Sequence, residues 1–282
     1  MNYTLYTTFH TMVEEKGVEA TAEYACAFGF SSVELFSMAK GKCAAVPDVK
    51  AAKEMRRVLD SYGLSMACSS VFYNTETETL DDIREKIEIA AVLGAPYLHH
   101  TLLPDPPKEG TREEFLRRIA VAVDAAELVA REAKKYGITC IYEDQGSAVN
   151  GVLGFGEFFR AIKERADNVG VCADLGNILF VNEKPEDFLR VFIDDVKHVH
   201  IKDYLSRPAA EGPAPGFRLT KDGSYVKDTL IGNGVINLKE CLSIIKKSGY
   251  CGAYALELCH EEPIDEGIRC GMETVNRLMS AL

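Results

Sequence analysis

The chain lacks long apolar runs: nowhere in its 282 residues does an uninterrupted apolar stretch approach the about 18 residues that span a bilayer. No membrane helix is expected. The first ten residues, MNYTLYTTFH, have no basic start, no apolar stretch and no cleavage pattern, so no signal peptide is expected there. Positive charge is scarce, with 32 Lys and Arg against 43 Asp and Glu and a formal net charge of −11. That balance gives no general attraction to nucleic acid or to an anionic membrane, and the partners expected are small molecules or protein. No C-x-x-C pair occurs among nine cysteines, and Cys26, Cys140, Cys172 and Cys251 lie in or beside apolar segments, where a thiol packs as a small hydrophobe. A reducing cytoplasm is the expected compartment. Neither G-x-G-x-x-G nor a Walker sequence is present, which argues against an open doubly wound sheet with an early phosphate turn.

What recurs is a helix-period segment that closes on a glycine and runs directly into a short apolar, β-branched stretch. It appears as AFGFSSVELF (27–36), SYGLSMACSSV (61–71), LGAPYLHHTL (93–102), KYGITCIYED (135–144) and SGYCGAYALEL (248–258). Glycine just past a helix accepts the left-handed conformation that ends it, so each is an αβ joint. Thr111 with Glu114 and Thr79 with Asp82 have capping-box spacing. The helices they open carry apolar stripes: Phe115, Ile119, Val123, Ala126, Val129 and Ala133 in one, Ile83, Ile87 and Ala90 in the other. NYTLYT, NVGVCADL (168–175) and VKHVHIKD (196–203) bring the strands to eight. Eight βα units without a break in composition predict an α/β fold, a single (β/α)8 TIM barrel over residues 1–282, a size close to the typical about 250 residues. The stretch 204–231, rich in Pro and Gly, predicts a long loop after strand seven that acts as a lid or is mobile.

In such a barrel the C-terminal strand ends face a common mouth, where chemistry collects. Only six histidines are present, yet two stand one residue apart in KHVHIKDYL (197–205), where His198, His200 and Lys202 share a face opposite Val199 and Ile201. Most of the other strand ends are also ionisable: Glu34, His99 or His100, Glu143, Asp174 and Glu257. Tyr142, Ala173, Ile201 and Leu256 alternate with the polar residues in strands five to eight, which turns Glu143, Asp174, His200 and Glu257 inward together. Three carboxylates in one low-dielectric pocket require positive compensation, and a divalent cation is the simplest source. A set of one imidazole and three carboxylates, without sulfur, suits Mn²⁺, Co²⁺, Mg²⁺ or Zn²⁺ and disfavours a structural zinc site.

At these residues the chain resembles the xylose isomerase-like TIM-barrel superfamily, in particular its sugar (phosphate) isomerase/epimerase branch. The ordered set SVELF, YED, CADLGN, HVHIKD, LIGNGVIN and ALEL carries the resemblance over nearly the whole chain. The resemblance implies one metal ion held by Glu143, Asp174, His200 and Glu257, with the two glutamates moving protons next to the carbonyl of a small carbohydrate through a metal-stabilised enediolate. It also implies a homo-oligomer, although no interface is legible. The family often has D-x-x-H in strand six, where this chain has Asp174 and Asn177; the H-x-K-D of strand seven is similar to inosose dehydratase and hydroxypyruvate isomerase relatives.

Each residue also has a plainer reading. Glu143 and Glu257 would be ion-paired carboxylates, but no Lys or Arg stands at a matching inward position beside them; Asp174 would cap the following turn, and His200 would be a satisfied core histidine. His198, one pleat deeper, orients a carboxylate or fills the barrel. Lys202 binds a substrate oxygen or pairs with Asp203 or Glu257. Asn177 is expected on a substrate hydroxyl or a metal-bound water, and His10, Glu34 and His100 are placed at the mouth as substrate-binding candidates by position, with only one of His99 and His100 able to face in. Arg207, Arg218 and Lys221 in the 204–231 segment either meet a phosphate or lie in solvent, whereas Lys16, Lys40 and Lys42 read as solvated surface. The glycine turn GNG (232–234) is not assigned phosphate binding.

Four functions compete on this reading: a metal-dependent isomerase or epimerase, a lyase using the same site, an endonuclease IV-type nuclease, and a barrel that only binds. The nuclease needs a three-zinc cluster with more histidines and a basic groove, neither of which suits six histidines and a net −11.

Overall fold

The structure, a computed structural model, describes residues 1–36, 45–73, 78–101, 111–145, 150–259 and 263–282. Lys40 and Lys42 lie outside the described residues. Strands β1 (Tyr3–Leu5), β2 (Ser32–Leu35), β3 (Ser65–Phe72), β4 (Tyr97–Thr101), β5 (Thr139–Glu143), β6 (Val169–Asp174) and β7 (Val196–Ile201) form successive staves of a parallel barrel. The chain then leaves it through β8 (Asp203–Arg207), β9 (Arg218–Leu219) and β10 (Tyr225–Thr229), and returns with β11 (Tyr254–Leu256), the eighth stave. β11 lies between β7 and β1 and closes the ring.

Around it run α1 (Phe9–Lys16), α2 (Val18–Ala27), α3 (Val49–Ser61), α4 (Leu80–Leu93), α5 (Arg112–Lys134), α6 (Gly151–Lys163), α7 (Pro185–Phe192), α8 (Leu238–Lys247) and α9 (Ile264–Ser280). Local sequence explains their ends. Thr79 and Asp82 exchange both capping-box hydrogen bonds at the start of α4, as Thr111 and Glu114 do at α5. Gly94 closes α4 with φ of +76°, a conformation costly for any residue with a Cβ, and the other joint glycines, Gly29, Gly63, Gly137 and Gly249, also have positive φ. The α5 stripe of Ile119, Val123, Ala126, Val129 and Ala133 is buried against the barrel.

One expectation is corrected. The segment after β7 is no irregular loop: β8, β10 and β9 pair antiparallel into a small sheet separate from the barrel, which β8 opens two residues after β7 ends. Alternation pins it, since Tyr204 and Val226 are buried while Leu205 and Leu219 face out. The turn-forming run PAAEGPAPG between β8 and β9 conceals this pattern in the composition.

The sheet is anchored by Asp203. Its carboxylate accepts hydrogen bonds from the N–H groups of Tyr204 (2.9 Å), Gly232 (3.0 Å), Gly234 (2.9 Å) and Ile236 (3.2 Å). A Cβ at Gly234 would collide with that carboxylate. Two amides of the GNG turn, those of Gly232 and Gly234, are thus consumed internally.

Candidate active site

The polar side chains come from strand ends that the register holds level. Asp174, last in β6, stands opposite His200 of β7, and Glu143 ends β5. Glu257 follows β11 directly, its N–H donating to the Ile201 carbonyl at 2.9 Å. Glu143, Asp174, His200 and Glu257 each offer a ligand atom, and these atoms all lie within 4.8 Å of one another. His200 Nδ1 is 3.0 Å from Glu143 Oε1 and 4.0 Å from Asp174 Oδ2. Asp174 does cap its turn: Oδ1 accepts the N–H of Gly176 (2.8 Å) and Asn177 (2.6 Å), which leaves Oδ2 turned to the cluster.

Lys202 enters this group, so the expectation that no cation stands beside the glutamates is corrected. Its Nζ lies 2.7 Å from Glu257 Oε1, 3.1 Å from Asp174 Oδ2 and 3.0 Å from Asn177 Oδ1. The stem passes over Gly176, where a Cβ would sit 2.5 Å from Lys202 Cγ, so the close approach requires glycine. Asp203, the other partner considered for Lys202, is occupied with backbone.

The remaining candidates separate by depth. Glu34 lies not at the mouth but wholly buried behind His200, its Oε2 at 2.7 Å from His198 Nε2 and 3.3 Å from His200 Nε2. Of the paired histidines it is His99, not His100, that faces in: His99 Nε2 is 3.7 Å from Glu143 Oε2, and Ser70 Oγ is 3.3 Å from its Nδ1. His100 points outward among Tyr142 and Tyr73. The signal lay in Leu98, whose apolar side chain faces the helices and fixes His100, two residues on, to the same side. His10 sits at the rim against Phe36, with ring centroids 5.5 Å apart. Sequence reading missed two further residues. Tyr6 stacks on the His200 ring at 4.4 Å, and Asp144, fully buried, accepts the Asp174 N–H with Oδ1 at 3.2 Å.

Electrostatics show a cluster short of positive charge. Burial raises the Asp174 carboxyl, Lys202 opposes that, and the charges of Glu143 and Glu257 reinforce it, with the balance at about 7. Burial and the neighbouring Asp174 and Glu143 push Asp144 well above the carboxylate range. Burial would also raise Glu143, but the His200 hydrogen bond with the charges of His99, His200 and Lys202 holds it at about 2. Burial disfavours charge on His200, yet Cys172 and Glu34 raise it well above the ordinary imidazole range.

These residues fit one divalent cation. Three carboxylates less the Lys202 ammonium leave two negative charges, and the donors are three oxygens and one imidazole nitrogen, the set that Mn²⁺, Co²⁺, Mg²⁺ or Zn²⁺ accepts.

Comparison with known proteins gives the family and the fold. A family model described as xylose isomerase-like TIM barrel matches residues 22–278. An inosose isomerase of Halalkalibacterium halodurans is 26% identical over 220 residues, 74% of this chain and 73% of that protein. An inosose dehydratase of Bacillus cereus is 29% identical over a shorter stretch of 92 residues, 32% of this chain and 30% of its own length. Among solved structures, an IolI protein with a bound zinc atom superposes with a TM-score of 0.75 at 17% identity, covering 100% of this chain and 99% of its own. A probable 3-DHS dehydratase, AsbF of Bacillus anthracis, gives 0.73 at 12% identity over 98% and 99% of the two chains. At these identities the structural likeness is one of fold.

Proposed function

The chain belongs to the xylose isomerase-like TIM-barrel family, and on that premise we propose that it is a divalent-metal-dependent isomerase or epimerase of a small polyhydroxylated ketone. The observation that carries the reading is the convergence of Glu143, Asp174, His200 and Glu257 within 4.8 Å. The inosose named for the 26%-identical relative makes a ketocyclitol the first substrate to test.

In this reading one carboxylate, Glu143 or Glu257, takes the proton from the carbon next to the substrate carbonyl, and the electron pair moves onto the carbonyl oxygen. A bound divalent cation would offset the negative charge gathering on that oxygen and its neighbouring hydroxyl. Lys202, whose ammonium already bridges Glu257 and Asp174, donates to a substrate oxygen, and Asn177 orients a hydroxyl. Return of the proton by the second glutamate on the opposite face inverts the carbon; return to the neighbouring carbon moves the carbonyl. His10 contributes to the rim.

The test is solvent deuterium entering the substrate in the presence of Mn²⁺ or Co²⁺, over a panel of inososes, ketoses and ketose phosphates. Exchange is expected in at least one, and Glu257→Gln is expected to slow it by about 10²–10⁴-fold. No exchange across the panel overturns the reading. Dehydration is the second reading, favoured by the inosose dehydratase match. It shares the first proton transfer and then expels a β-hydroxyl, so a product lighter by one water identifies it by mass.

A further inference from the structure

We infer that Glu34, held by His198, is a positioning residue that keeps the His200 proton on Nε2 when Nδ1 takes a metal ion; this rests on the metal site proposed above. His200 has two faces of opposite use. Its Nδ1 is turned to the site, 3.0 Å from Glu143 Oε1, and its Nε2 is turned away, 3.3 Å from Glu34 Oε2. An imidazole offers a cation the lone pair of one nitrogen only when its proton is on the other. Nδ1, which donates to the Glu143 carboxylate in the metal-free protein, therefore serves as ligand only once that proton has left and Nε2 keeps its own, and Glu34 Oε2, 3.3 Å away, is the carboxylate placed to hold it there.

Glu34 suits that task. It is fully buried, and its Oε2 is 2.7 Å from His198 Nε2, which anchors the carboxylate beneath the ring. Oε1 and His200 Nε2 both have no hydrogen-bond partner among the described residues, so the 3.3 Å approach of Oε2 to Nε2 is a charge contact with Oε1 and Nε2 left uncommitted. The Cys172 thiol also borders His200, but a thiol is a far weaker acceptor. Tyr6, stacked on the ring at 4.4 Å and an interplanar angle of 29°, keeps the imidazole from turning over. The result is a carboxylate, an imidazole and a metal position in series, a relation in which loss of the outer carboxylate usually costs 10–100-fold in metal affinity.

The experiment measures Mn²⁺ and Zn²⁺ affinity of metal-stripped wild-type protein and of Glu34→Gln, which keeps side-chain volume, alongside the melting temperature of each without metal. Glu34→Gln is expected to bind about 10–100-fold more weakly while melting close to wild type. Equal affinity in a folded variant overturns the inference. Nitrogen-15 histidine spectra of the Zn²⁺-loaded wild type need no variant: His200 is expected to carry its proton on Nε2, and a metal bound to Nε2 contradicts the inference even if Glu34→Gln does not fold. Wild-type protein that binds neither Mn²⁺ nor Zn²⁺ would instead sink the metal site itself and this inference with it, an outcome distinct from retained binding in Glu34→Gln.

Discussion

Lys202 is the residue on which the site's balance turns, because it neutralises part of the anionic cluster yet competes with any cation for Asp174 and Glu257. Lys202→Met is expected to tighten Mn²⁺ binding by about tenfold or more, since removing a like charge a few ångströms away lowers the Coulombic barrier. The same variant should slow substrate deuterium exchange. Titration calorimetry beside the exchange assay separates the two effects, and weaker binding would show that Lys202 does not compete. Asp174 makes the pH behaviour calculable in sign. Its folded carboxyl sits at about 7 against an ordinary 3.8, so the folded, metal-free chain binds a proton the unfolded chain has released. That contribution to stability is complete below about pH 4 and is lost as pH rises through about 7. Melting curves of metal-free wild type against Asp174→Asn are expected to show the wild type losing relative stability from pH 4 to 8. A cation must displace that proton, so metal affinity should weaken as pH falls below about 7.

At the scale of elements, the small sheet after β7 hangs on one carboxylate. Asp203→Ala would strand the buried N–H of Ile236 and the part-buried N–H groups of Gly232 and Gly234 and is expected to cost about 1–3 kcal/mol in urea unfolding, with faster amide exchange through 232–236. Unchanged exchange there would show that the turn stands without it. The barrel itself was legible because its signals are local: glycine joints, capping boxes, and the alternation that turned Glu143, Asp174, His200 and Glu257 to one side. What escaped depends on contacts distant in sequence. Glu34 meets His198 across 164 residues of chain, and nothing near SVELF announces that it sits beneath the mouth rather than in it. The β8–β10 pairing was masked by prolines that belong only to the turn between strands. His99 was within reach of the parity argument through Leu98, whereas Asp144, beside Glu143, carried no pattern of its own.

Across the whole molecule, the barrel is a ring of eight short strands whose mouth concentrates negative charge in a chain already at −11. Among the described residues no helix is long and apolar enough to cross a membrane. Binding to the folded state alone stabilises it by mass action, so Mn²⁺ at 100 times its Kd should add about 2.7 kcal/mol and raise the melting temperature, and a chelator should reverse the gain. A melt unaffected by metal would count against a built site. The most direct measurement is anomalous diffraction from crystals soaked in Mn²⁺ or Zn²⁺. The account predicts one peak at roughly 2.0–2.3 Å from donor atoms of Glu143, Asp174, His200 and Glu257, with Nδ1 as the His200 donor. No peak there, with Lys202 still paired to Asp174 and Glu257 at saturating metal, would contradict it.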